Sequence, residues 1–77
     1  MSNVNYEAAI EAILFTMGNS VELEQIADAL ELDKKKTKKI IENMMEQYKD
    51  DNRGIQIMEL DGSYQMCTKT EMYEYLI

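Results

Sequence analysis

Histidine is absent from all 77 residues, and with it go the commonest general base and the commonest metal ligand. The one cysteine, Cys67, has no imidazole to activate its thiol and reads as a small packing residue on a strand. A single cysteine also excludes an intramolecular disulfide, which in a small domain fits a reducing compartment. Gly18, Gly54 and Gly62, the only glycines, lie too far apart for a phosphate-cradling loop or a dinucleotide fingerprint. Carboxylate pairs occur, Glu42 with Glu46 one helical turn on and Asp50 beside Asp51. None belongs to a calcium-loop pattern, and they read as solvated. The chain is therefore read as a non-enzyme, with no catalytic residue, no cofactor and no metal.

Long apolar runs are missing too. No basic segment followed by an apolar stretch opens the chain, and nothing approaches the roughly 20 residues that a membrane-spanning helix needs. There is no internal repeat and no proline-rich or serine-rich linker. Residues 1–77 read as one soluble, cytoplasmic domain. With 45% hydrophobic and 30% charged residues the balance is globular. A chain this short buries only roughly 60% of its unfolded surface, so its core is small.

Positive charge is scarce: eight basic groups stand against fifteen acidic ones, for a net charge of -7. Five of the eight are crowded into "KKKTKK" as Lys34, Lys35, Lys36, Lys38 and Lys39, and without them the remainder is -12. Any attraction to phosphate is local to that segment.

The apolar spacing then gives the elements. Tyr6, Ala9, Ile10, Ile13, Leu14 and Met17 recur every three or four residues, predicting a helix over 5–17 that Gly18 stops in the left-handed region. Leu23, Ile26, Ala27 and Leu30 predict a second helix, capped by Ser20 or Glu22. Asp33 caps a third, whose inner face carries Thr37, Ile40, Ile41, Met44 and Tyr48 and which runs out near "KDDNRG". The short link between the last two is the helix-turn-helix arrangement. Beyond Gly54, two β-prone runs flank Asp61-Gly62, a strong signal for a two-residue type I′ hairpin. If residue 60 faces residue 63, Ile57 lies opposite Met66 and Ile55 opposite Thr68, on the face that seals the helices. The fold class is α+β, mainly α: a winged helix of three helices and a two-stranded wing. Thr70 caps the start of a further helix of about two turns, whose apolar end, Tyr75 to Ile77, looks cut or made to dock.

More apolar surface is present than one core needs. Ala8, Ala12 and Phe15 cluster almost opposite Tyr6, Ile10 and Ile13 on the first helix, and Met58, Leu60 and Cys67 share the other face of the hairpin. Two readings stand. The alanines are merely good helix formers and Phe15 covers the wing or the C-terminal segment, or Ala8, Ala12, Phe15, Met58 and Leu60 form a self-association surface, since exposed apolar area on a soluble domain usually has a partner. Met17, Met44 and Met66 fall on inner faces and read as core; Met45 and Met58 are candidates for an interface.

The lysines admit two uses. The third helix of a winged helix enters the major groove, so Lys34, Lys35, Lys38 and Lys39 are candidate phosphate or partner contacts, and a DNA-binding transcriptional regulator is the alternative function. Direct readout favours Arg, Asn and Gln, however, and the segment has none of them before Asn43. The hairpin tip "LDGS" is acidic, and Arg53, the only arginine, sits at the hairpin's entrance. Lys38 and Lys39 are spaced to pair weakly with Glu42, and the segment is read chiefly as a solvated face.

Order and spacing along nearly the whole chain resemble the N-terminal winged-helix domain of bacterial segregation and condensation protein B. The residues that carry the resemblance are Glu11 to Phe15 of the first helix, Leu23, Ile26, Ala27, Ala29 and Leu30 of the second, and Gly54, Tyr64 and Thr68 of the wing. Departures are Lys34 to Lys36, where the family is often acidic, and Ser63 in place of a wing glycine. Family members continue into a second winged helix, so residues 1–77 are expected to be an excised N-terminal domain. The resemblance implies a non-catalytic subunit of the SMC-kleisin, condensin-like complex for chromosome condensation and segregation. It implies a homodimer that binds the kleisin ScpA and, through it, the SMC ATPase at the nucleoid, with no membrane and no specific nucleic acid as partner. The N-terminal domain would contribute self-association.

Overall fold

A computed structural model describes residues 5–77. Asn5 opens helix α1 (Tyr6–Met17) by accepting the Ala8 N–H on its side-chain Oδ1 at 3.0 Å. Gly18, at φ 72°, closes it with its own N–H on the Leu14 carbonyl. Helix α2 (Leu23–Leu30) starts at Glu22, whose N–H donates to the Gln25 carboxamide at 3.4 Å. Of the two caps expected, Glu22 is the one used. Helix α3 (Lys34–Gln47) begins at Asp33, which accepts the Lys36 N–H at 2.7 Å, while the Thr37 hydroxyl donates to the Asp33 carbonyl at 2.8 Å. That second bond lets a threonine with 0% exposure sit in the core without an unpaired hydroxyl.

Strands β2 (Ile55–Leu60) and β3 (Ser63–Thr68) form the wing in the register the Asp-Gly turn requires: Leu60 opposite Ser63, Ile57 opposite Met66, Ile55 opposite Thr68. Both turn residues lie at positive φ, Asp61 at 50° and Gly62 at 87°, as a type I′ turn demands. A third strand joins them that the sequence pattern does not announce. Val21 and Glu22 form a two-residue β1 antiparallel to β3, giving the order β1-β3-β2 with β3 central. It is invisible to periodicity because two residues carry no period and run straight into α2.

Buried between helices and sheet are Ile10 and Leu14 of α1, Ile26 of α2, Ile41 and Met44 of α3, and Val21, Ile57 and Tyr64 of the sheet. Ile13, Leu23, Leu30, Ile40, Ile55 and Met66 pack around them, half-buried. Met45 belongs to this ring as well, so its side chain goes to the edge of the core. Met17 does not: it is 49% exposed, because it lies in the last turn of α1, past Leu14, the final residue of that helix that the core covers.

Two further expectations are corrected. The segment after β3 is a 3₁₀ helix (Thr70–Tyr75), with Lys69 at its N-cap and the Thr70 hydroxyl turned to Glu71 instead of capping. Lys69 anchors it to the base of the wing, through its N–H on the Gly54 carbonyl and its ammonium on the Asp50 carbonyl, both at 2.8 Å. Nor do Lys38 and Lys39 pair with Glu42; among the described residues the one ion pair is Lys49 with Glu46, at 2.9 Å and exposed to solvent.

A polar seam ties α1 to α3. The Tyr48 hydroxyl donates to Glu11 at 2.6 Å, and Asn43 and Gln47 donate to Glu7 at 3.1 and 3.4 Å. Burial, then the bond to Glu11, push the Tyr48 phenol up from 10.0 to about 12. The folded state therefore favours the neutral phenol. That contribution is complete below pH 10 and is lost as the pH climbs through about 12. Tyr48→Phe is expected to lower unfolding stability by about 1–2 kcal/mol at neutral pH. In urea titrations the gap between wild type and variant should narrow above about pH 10; a gap that stays constant up to about pH 12 would contradict the assignment. Glu31 ends α2 at φ 56°, a conformation costly for a side chain with a Cβ. Glu31→Gly should consequently raise the urea midpoint, by a gain of about 0.5–1 kcal/mol.

Candidate interaction surface

The outer side of α1 is where the sequence places a second apolar stripe, and the structure leaves it bare. Ala8, Ala12 and Phe15 are all exposed, Phe15 at 78%. The alternative in which Phe15 covers the wing or the C-terminal segment is thereby excluded, since a ring so exposed covers neither. Beside the stripe lies a shallow groove of about 330 Å³, lined by Ala12, Ile13, Thr16 and Met17 and almost wholly apolar. Ile13, Thr16 and Met17 are members that sequence reasoning missed. Ile13 packs on the core and shows the groove only its outer side, while Met17 carries the period of the core face but lies past Leu14, where nothing in a linear pattern tells that α1 outruns the core.

On the hairpin, Met58 and Leu60 are exposed at 43% and 44%, on the face turned from the helices, while Cys67 on the same face is half-buried. Met58 pairs with Gln65, whose carboxamide donates to the Gly18 carbonyl at 3.3 Å. This bond joins the outer face of the wing to the C-terminal end of α1, so Met58 stands one strand away from the residue that touches it. Leu60 lies two residues farther out, toward the turn.

The lysines meet a different environment. Lys34, Lys35, Lys36, Lys38 and Lys39 are all exposed on the first turns of α3. The cleft between Lys34 and the hairpin tip is lined by Glu22, Glu24 and Asp61. Deeper between α3 and the wing, the Tyr64 phenol is pushed up by burial and then by the charges of Glu59 and Glu42. A phosphate backbone entering between third helix and wing would thus meet carboxylates from both sides. Arg53 faces elsewhere, its guanidinium 5.8 Å from the centre of the Tyr48 ring.

Among the described residues no group of three or more acidic or cysteine side chains could hold a metal ion. No described helix is long and apolar enough to cross a membrane. Buried side-chain polar atoms, again among the described residues, all have partners. What remains as surface of note is apolar.

Three helices, a short strand and a hairpin wing define a winged-helix domain. The family model for segregation and condensation complex subunit ScpB matches residues 8–77. The chain is 61% identical over 75 residues to segregation and condensation protein B of Agathobacter rectalis, covering 96% of this chain and 40% of that protein. It is also 61% identical over 71 residues to that of Lachnoclostridium phytofermentans, covering 92% and 38%. A crystal structure of a dimer of the ScpB N-terminal domain complexed with ScpA peptide superposes with a TM-score of 0.87 at 38% identity, covering 91% of this chain and 88% of that one. The structure of ScpB from Mycobacterium tuberculosis shares the fold at TM-score 0.87 and 17% identity, over 97% of this chain and 49% of that one. The chain belongs to the segregation and condensation protein B family. It spans about two-fifths of the length of the curated relatives it matches.

The carboxylates around α3 and the wing carry a prediction. Titrating a labelled duplex with the chain at physiological salt should leave the duplex free. Replacing Lys34, Lys35, Lys38 and Lys39 together by alanine should change folding stability by no more than about 0.5 kcal/mol. Binding that falls steeply with salt and vanishes in the quadruple variant would overturn this reading of α3.

Proposed function

We propose that the chain is a non-catalytic assembly unit of the bacterial SMC-kleisin complex, acting in the cytoplasm at the nucleoid in chromosome condensation and segregation. Its own contribution is self-association. The observation that carries the proposal is the bare apolar stripe of α1, with a phenylalanine 78% exposed on a domain whose core is already filled. A solvated ring of that size has no part in folding, and its burial against a second copy removes it from water.

Ala8, Ala12 and Phe15 form the centre of the dimer surface, with Met58 and Leu60 contributing from the wing side. The relative at 38% identity was crystallised as a dimer holding an ScpA peptide, which supports both the homodimer and the kleisin as partners of this chain. The SMC ATPase is then reached through the kleisin.

Phe15→Glu is the test. A carboxylate at that position is solvated in the single domain, so the fold is kept, whereas a dimer would have to bury two of them. Sedimentation velocity should show the variant at the 9.0 kDa of one chain, with an unchanged circular dichroism spectrum. A variant that remains a dimer would discard the assignment of this face.

A further inference from the structure

Of the eight basic residues, three are engaged within the domain. Lys49 pairs with Glu46 at 2.9 Å, Lys69 donates to the Asp50 carbonyl at 2.8 Å, and the Arg53 guanidinium lies 5.8 Å from the centre of the Tyr48 ring. The five on α3 are all exposed and form no ion pair among the described residues. We infer that three of them, Lys35, Lys38 and Lys39, form a docking site for an acidic segment of a partner protein, one that presents carboxylates at successive turns of a helix. This partner surface goes beyond self-association and does not depend on it.

Folding gives these lysines no use. The first turn of a helix favours negative charge, and α1 and α2 follow that rule with Glu7 and Glu24. The first turn of α3 has no acidic residue, in a chain with fifteen of them, and carries Lys34, Lys35 and Lys36 instead. That arrangement opposes the helix dipole and weakens α3 slightly, so the charge serves something outside the domain.

Their placement is compact. Lys35 stands one turn from both Lys38 and Lys39, three and four residues on. At 100° per residue the three fall within an arc of about 100° and about 6 Å of helix axis. The arc is turned from the buried Thr37, Ile41 and Met44. Lys36 lies off it, on the side of Asn43 and Gln47, which bond to Glu7. Lys34 is at its border, in the cleft with Glu22, Glu24 and Asp61.

That size selects the ligand. A duplex presents a long row of phosphates, and beyond the triangle such a row meets Glu42 and Glu46 along α3 and Glu31 and Asp33 before it. A single strand finds no aromatic residue on α3 to stack against. An acidic peptide needs only two or three carboxylates one turn apart, and those fit within the triangle. Lysine suits this contact, since its mobile point charge imposes no bidentate geometry. Without the five lysines the chain carries -12, so its body repels an acidic partner and steers it to this one place.

Amide chemical shifts of the isotope-labelled chain test the site, in titrations at about 0.15 M ionic strength with a synthetic peptide of repeated Glu-Glu-Ala-Ala. Saturable shifts confined to Asp33 through Glu42 are expected, and none with the matching Gln-Gln-Ala-Ala peptide. Replacing Lys35, Lys38 and Lys39 together by alanine should weaken binding by at least about tenfold, whereas replacing them by arginine should keep it within about threefold. Lys36→Ala with Lys49→Ala, which removes two charges outside the triangle, should also stay within about threefold. All these positions are exposed, so the variants fold. An absence of shifts in this segment, or a loss no greater for the triangle than for Lys36 and Lys49, would overturn the inference. So would a duplex that moves the same amides at lower concentration, which would make phosphate the ligand. Shifts of those amides on diluting the chain alone would overturn it too, by making a second copy the occupant.

Discussion

The register of one hairpin determines what this domain buries and what it leaves outside. With Asp61 and Gly62 both at positive φ, Leu60 is held opposite Ser63, and from that pairing Ile57, Tyr64 and Met66 point to the helices. A slip by one residue would expose Tyr64, now 1% accessible at the centre of the sheet, and turn Met58 and Leu60 inward. Tyr64 also lies opposite Val21, so the same register lets β1 add to β3 and brings the start of α2 onto the sheet. The sheet's share of the core and the apolar outer face of the wing are two consequences of one turn.

Much of this is legible in the linear sequence. The helix faces follow from spacing, and their ends follow from residues whose chemistry suits a terminus, since Asn5 and Asp33 accept backbone N–H groups and Gly18 adopts a left-handed conformation. The hairpin follows from Asp61-Gly62 alone. What escapes is whatever depends on how far an element extends relative to its neighbours. Met17 has the period of a core residue but lies beyond the core; β1 is too short to have a pattern; Thr70 to Tyr75 is a 3₁₀ helix that starts from the anchored Lys69. The candidate surface divides along the same line. Ala8, Ala12 and Phe15 stand out because a helix with two apolar faces exceeds what one core can cover. The groove walls Thr16 and Met17 become visible only once α1 is seen to run past the core after Leu14.

The domain also illustrates how a fold associated with DNA can be directed elsewhere. A winged helix places its third helix and wing where a duplex would fit, yet fold alone does not assign that use. Here the cleft between them holds Glu22, Glu24 and Asp61, with Glu42 and Glu59 near Tyr64. Five lysines stand at the start of α3 on a body that is otherwise -12, and Lys34 shares the cleft with Glu22, Glu24 and Asp61. An uncharged apolar stripe, Ala8, Ala12 and Phe15, stands instead on the outer side of α1, and its aromatic ring is solvated. That distribution fits a subunit that holds other proteins together.

Sedimentation velocity of the unmodified chain over a wide range of concentration tests self-association most directly. A species near twice 9.0 kDa, in reversible exchange with the single chain as concentration rises, is the predicted result. A lone 9.0 kDa species at the highest concentration reached would contradict it and leave the stripe on α1 without a purpose.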